Sequence, residues 1–126
     1  MKKIIQIIGL PGIGKSTAIK RYLKKSQVAC IHLDLAKYTG NNKEDCFKKA
    51  IKQATIPVIA ESACGVEIKS TIIKVTGSIQ HIYQQLLKRD KVLDEDYLSL
   101  LSTNMQKANI TTTSNNLEVV LLNLLE

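Results

Sequence analysis

Apolar residues fall along this chain in two alternating rhythms. Short, nearly unbroken apolar runs at Lys3–Ile8, Val28–Leu33, Ile56–Ala60, Thr71–Val75 and Ile110–Thr113 have the length and β-branched content of buried strands. Between and after them, apolar positions recur every three or four residues, the period of a helix with one buried face. Lys15–Lys25 carries Ala18, Ile19, Tyr22 and Leu23 on such a face, and Lys43–Ala54 carries Cys46, Phe47, Ala50 and Ile51. Ser78–Lys88 repeats the pattern through Ile79, Ile82, Tyr83, Leu86 and Leu87. Asp94 stands as N-cap of a helix showing Tyr97, Leu98, Leu101 and Met105, and a last helix opens after Asn116 with Leu117, Val120, Leu121, Leu124 and Leu125.

Strand and helix in alternation predict an α/β domain, a parallel sheet with right-handed crossovers and helices on both faces. Two places strain that reading. Only about ten residues separate the third and fourth strands, fewer than a crossover with its helix ordinarily takes. Pro57 lacks an N–H and fits an inner strand only as its first residue. Repeats and linker-like tracts are missing, so residues 1–126 read as one domain.

The chemistry enters after the first strand. Gly9-Leu10-Pro11-Gly12-Ile13-Gly14-Lys15-Ser16 fits G-x-x-x-x-G-K-[ST] without a mismatch, between an apolar strand and an amphipathic helix. Glycines let successive backbone N–H groups curl around a phosphate chain, and the helix beyond adds its positive dipole end. Gly9, Gly12, Ile13, Gly14, Lys15, Ser16 and Thr17 are therefore the candidate nucleotide-binding residues, with Lys15 along the outer phosphates and the Ser16 hydroxyl on Mg²⁺.

Asp34 closes Ile31-His32-Leu33-Asp34, and ligands of open α/β sheets lie at the carboxyl ends of strands. It reads as the base for an attacking hydroxyl or a holder of the acceptor, or else as the N-cap of Leu35–Tyr38. His32 shares its strand face and reads as a packed strand residue. Glu61, ending the third run, stands where a carboxylate would hold Mg²⁺ directly or through water, or is a solvated loop carboxylate. Arg89, beside Lys88 and Lys91, is either a lid cation over the transferred phosphoryl or a helix-end charge. Asn42-Lys43-Glu44-Asp45 spells the guanine-reading NKxD, but no D-x-x-G accompanies it, and it reads as the start of the second helix.

Gly9–Thr17 resembles the phosphate loop of P-loop small-molecule kinases, and the second half of the chain is similar to dephospho-coenzyme A kinase. That likeness is carried by Ala60-Glu61-Ser62, Ile72–Val75, Leu86-Leu87-Lys88-Arg89-Asp90 and Asn104-Met105, in the order of the family's third strand, fourth strand, lid arginine and following helix. The resemblance implies a three-layer P-loop fold with a five-stranded parallel sheet in order 2-3-1-4-5, a short lid around residues 88–93, and preference for ATP. The chain departs from the family at Gln85, where a second arginine is expected, and after the second strand, where the long acceptor-binding insertion is nearly absent.

Composition narrows the readings further. The net charge of +7 reads either as a field attractive to phosphates, on nucleotides, nucleic acid or acidic membranes, or as a lysine-rich solvated surface. Arg21 and Arg89 are the only arginines, so planar phosphate forks are scarce. Cys30, Cys46 and Cys64, an odd number without CxxC spacing, fit a reducing cytoplasm. The first apolar run is too short to span a membrane. The leading expectation is an ATP- and Mg²⁺-dependent kinase acting on the hydroxyl of a nucleoside, nucleotide or coenzyme precursor, as monomer or homodimer. A non-kinase ATP-binding regulator or weak ATPase is the alternative. A 5′-hydroxyl polynucleotide kinase is less favoured, because an aromatic content of 4% offers few stacking platforms for nucleic acid.

Overall fold

The run IIQII has no solvent-facing side, so as a strand it needs cover on both faces. In the computed structural model of the protein, which describes residues 2–88 and 95–126, it forms β1 (Ile4–Ile8), the middle strand of a five-stranded sheet. The others are β2 (Ile31–Asp34), β3 (Val58–Glu61), β4 (Thr71–Thr76) and β5 (Ile110–Thr113). All pairings are parallel and the order is β2-β3-β1-β4-β5, as expected. The helices are α1 (Lys15–Lys25), α2 (Lys43–Gln53), α3 (Ile79–Lys88), α4 (Glu95–Asn104) and α5 (Leu117–Leu125), with a 3-10 turn at Leu35–Lys37.

Alternation along the strands divides the apolar residues between two cores. Ile5, Ile7, Ile59, Ile73 and Val75 face one layer, where α1 supplies Ala18, Ile19 and Tyr22 and α5 supplies Leu117, Leu121 and Leu125. Ile82, Leu86 and Leu98, from α3 and α4, join this core. Val58 and Ala60 face the other, smaller core with Phe47 and Ile51 of α2. The intervals of three and four residues in the helices match what their sequences require of one buried face.

Gln6 interrupts the isoleucines at the centre of β1 and is fully buried. Its side chain donates to Val66 O at 2.9 Å and to Ser70 Oγ at 2.8 Å, and accepts from Val66 N at 2.8 Å. These bonds hold residues 62–70, which join β3 to β4 without a helix and so break the expected alternation of strand and helix. Geometry explains the break. The link must run back along the sheet and step across β1, about 20 Å in all; an extended segment of this length reaches that far, and a helix rising about 1.5 Å per residue does not. Val66 fills the second core in place of the missing helix.

Local chemistry also moves two strand starts. β2 begins at Ile31 rather than Val28, because Ser26 Oγ accepts from Val28 N at 3.0 Å and donates to Val28 O at 2.8 Å, taking those groups out of any ladder. Pro57 lies just before β3, and its carbonyl accepts from Ile31 N at 2.9 Å, so its missing N–H costs the sheet nothing. Lys2 Nζ donates to carbonyls at the end of α2, including Lys52 O at 2.9 Å, while Lys3 Nζ donates to Leu124 O of α5. Adjacent lysines thus satisfy the carbonyl ends of two helices from opposite sheet faces. No helix among the described residues is long and apolar enough to cross a membrane.

If Gln6 holds the link, Gln6→Leu should cost about 3 kcal/mol, because the N–H and carbonyl of Val66 lose their partner in a buried place. Urea unfolding of the two proteins checks this, through a lower midpoint at unchanged slope.

Candidate active site

Parallel strands end on one edge of the sheet, so the segments following β1, β2 and β3 meet there. They line a cleft of about 700 Å³, closed on its other side by Leu86 of α3 and by Tyr97 and Leu98 of α4.

The loop after β1 occupies the floor. Gly9 approaches β4 so closely that a Cβ there would stand 2.7 Å from Val75 O, and its N–H donates to Ala63 O at 3.1 Å. Gly12, at φ 83°, passes under α3, where a Cβ would meet Ile82 O at 3.2 Å. No side chain larger than hydrogen fits either place without displacing backbone. Gly14 is the N-cap of α1, and no side chain caps the first turn, nor does any acidic residue stand in it. The positive dipole end of α1 therefore faces the cleft without an acidic side chain to offset it, a setting that suits an anion. Lys15 is buried, and its Nζ donates to Gly9 O and, at 3.2 Å, to Leu10 O, so the ammonium lies over the loop it follows. Ser16 and Thr17 line the cleft beside it.

The second wall comes from β2 and the turn after it. Asp34 Oδ1 accepts from Ala36 N at 3.0 Å, so the residue caps the turn it begins, and it also lines the cleft. Tyr38 is set edge-on against the buried Phe47, ring centroids 5.5 Å apart at 75°. Lys43, first residue of α2, stands on the same wall; the NKxD stretch is thus the helix start, though Asn42 makes no side-chain cap bond.

β3 delivers Glu61, only 7% exposed. It is the register partner of Asp34, so two carboxylate residues sit on neighbouring strand ends about 4.8 Å apart in backbone. His32, expected as a packed strand residue, instead places Nε2 3.0 Å from Glu61 Oε1. Lys15, Lys20 and Lys43 surround the same cleft and balance the two acids. Among the described residues, no cluster of three or more His, Cys, Asp or Glu is arranged to hold a metal ion. Ser16 and Glu61 share the cleft as oxygen donors.

Arg89 and the lid around it, with Asp94, lie outside the described residues apart from Lys88, which ends α3. Arg21 is directed elsewhere, its Nε 2.8 Å from Glu118 Oε1 on α5. Among the described residues the cations of the cleft are lysines. Tyr38, Lys20, Lys43 and Tyr97 were not legible as site residues, since only the folded loop and helix ends bring them to the cleft.

Neither a protein-family model nor a curated protein matches the chain. Solved structures do. A shikimate kinase from Aquifex aeolicus VF5 superposes with a TM-score of 0.61 at 15% identity, over 96% of this chain and 95% of that one. The protein APE1195 superposes with a TM-score of 0.57 at 14% identity, over 99% of this chain and 97% of its own. At such identities the likeness is one of fold, and the fold is a P-loop kinase-like α/β fold.

Cys64 follows the floor of the cleft, its Sγ donating to Leu101 O at 3.4 Å. Burial, and then the nearby Glu44 carboxylate, push its thiol up despite the opposing pull of Lys15; burial and Glu126 do the same to Cys30. Cys46 is exposed. A thiol reagent at neutral pH should therefore modify one cysteine per folded chain quickly, and peptide mapping should find it at Cys46, with Cys30 and Cys64 reacting at comparable rate only after denaturation.

Proposed function

We propose that the protein is an ATP- and Mg²⁺-dependent phosphotransferase acting on the hydroxyl of a small molecule such as a nucleoside, a nucleotide or a coenzyme precursor. The observation that carries this reading is the extent of the cleft. It does not stop at the phosphate loop but continues past Glu61 to Asp34, Tyr38 and Lys43, leaving space for a second substrate beyond the nucleotide's phosphates.

In this reading the loop and the open end of α1 hold the phosphates, Lys15 neutralises the outer ones, and Ser16 and Glu61 supply oxygen ligands toward Mg²⁺. Hard oxygen donors suit that cation, which keeps several waters and relies on substrate phosphate rather than on a protein cage. Asp34 accepts the proton of the attacking hydroxyl, and Arg89 with its neighbours closes over the transferred group. The likeness to dephospho-coenzyme A kinase belongs to the same proposal and names one acceptor to try.

Against a kinase stands the shortness of the chain after its second strand, which leaves little room for a dedicated acceptor pocket. A shikimate kinase of which this chain spans 95% weakens that objection, because the same fold accommodates a kinase within a comparable length. Incubation with γ-labelled ATP and a panel of nucleosides, nucleotides, shikimate, dephospho-coenzyme A and 5′-hydroxyl oligonucleotides tests the proposal. Label on a small molecule supports it, while release only as inorganic phosphate turns the reading to an ATPase.

Mg-ATP should raise the melting temperature by mass action, and Lys15→Ala should remove most of that shift. Asp34→Asn should leave nucleotide binding nearly intact and lower turnover by about a hundredfold or more, as loss of a general base does. Arg89→Ala should likewise lower kcat by about a hundredfold with little change in ATP dissociation constant, since a lid guanidinium meets charge that develops in the transition state. Steady-state kinetics beside equilibrium nucleotide titration separate these outcomes from simple loss of binding.

A further inference from the structure

We propose that His32 is a positioning residue: it holds Glu61 from behind, fixing Oε1 so that Oε2 is the oxygen offered to a divalent cation in the cleft. The inference rests on the reading of Glu61 as a carboxylate directed toward Mg²⁺.

Three observations lead to it. First, the contact is specific. Nε2 of His32 lies 3.0 Å from Oε1, with the two side chains only 15% and 9% exposed. An ionised carboxylate can only accept, so Nε2 carries the hydrogen and donates it. Second, one oxygen is left over. Oε2 has no protein hydrogen-bond partner among the described residues, and Glu61 lines the cleft. Third, the pair is not needed to join its strands. β2 and β3 are already bonded in register from Ile31 and Val58 to Asp34 and Glu61. A buried carboxylate–imidazole contact is weak evidence for stability, because desolvation of the carboxylate offsets most of the attraction.

Asp34 makes the contrast. It stands beside Glu61 in the sheet, yet among the described residues its carboxylate is tied only to the backbone N–H of Ala36 in an exposed turn. Of two neighbouring acids, one is held by a side chain and one by the turn it begins. Glutamate has three side-chain torsions, and a ligand that must wait in one arrangement gains from a partner that has already restricted them. Groups of this kind behind a metal ligand set its orientation, and losing them typically costs tenfold or more in metal affinity.

The test uses Mn²⁺ as the probe, titrated into the ADP-saturated protein and followed by the electron paramagnetic resonance signal of free Mn²⁺. Metal-free ADP binding and melting temperature are recorded for each variant. Glu61→Gln and His32→Ala should each weaken Mn²⁺ binding by about tenfold, with metal-free ADP affinity unchanged. His32→Gln, whose amide nitrogen falls near the position of Nε2, should stay within about threefold of the native protein, and the shorter His32→Asn should behave like His32→Ala. If Glu61→Gln weakens Mn²⁺ binding but His32→Ala does not, or if His32→Gln is as poor as His32→Ala, His32 only packs and the proposal falls. Should Glu61→Gln leave Mn²⁺ affinity untouched, the assignment of Glu61 fails and the role of His32 falls with it. Should His32→Ala not fold, the comparison of Gln with Asn decides by itself.

Discussion

The three hydrogen bonds of the Gln6 side chain carry more of the site than their burial under the sheet suggests. They fix Val66 and Ser70, and through them the link that crosses beneath β1. That link reaches the cleft in both directions. Ala63 O receives the N–H of Gly9 at the start of the phosphate loop, and Cys64 O receives the N–H of Gln106 just after α4, at 2.8 Å. One buried amide therefore sets the height of the cleft floor against the helix that closes the opposite side. A buried polar group costs free energy unless every partner is present, so this arrangement is sharply defined once formed.

Above that floor, the electrostatic problem is two acids in register on adjacent strand ends. Left alone they would repel at the edge of a low-dielectric sheet. The structure separates them by giving each a different restraint, the Ala36 N–H for Asp34 and the His32 ring for Glu61, and by surrounding them with lysines. A lysine is a compact charge on a flexible stem, and it holds a phosphate without dictating its orientation. The orienting part of the site is consequently backbone: the glycine loop and the uncapped first turn of α1.

Much of the fold was legible because it follows from periodicity. The isoleucine run, the helical stripes of α1, α2 and α5, and the phosphate loop each announce themselves within a dozen residues, and the strand order followed from the family resemblance. What failed to show was whatever depends on residues distant in sequence. Val28–Cys30 look like strand until Ser26 is seen to occupy both backbone groups of Val28. Gln6 looks like a flaw in a core strand until the link comes back to meet it. His32 looks idle because only the register of β2 on β3 carries it to Glu61. Phosphate-loop and strand-end residues were found from local pattern, whereas Tyr38, Lys43 and Tyr97 required the cleft itself.

The central position of β1 has a kinetic side. It is the first strand in chain order, yet its two neighbours are β3 and β4, more than fifty residues further on. During synthesis an apolar, β-branched segment with both edges open must wait until about residue 76 before its ladders can close. Until then it is the kind of sequence that pairs with other copies of itself. Gln6, and the lysines at positions 2 and 3, are the polar interruptions in and beside that segment, so the same side chains that later hold the link and close two helices first serve to keep the nascent strand apart from its own kind.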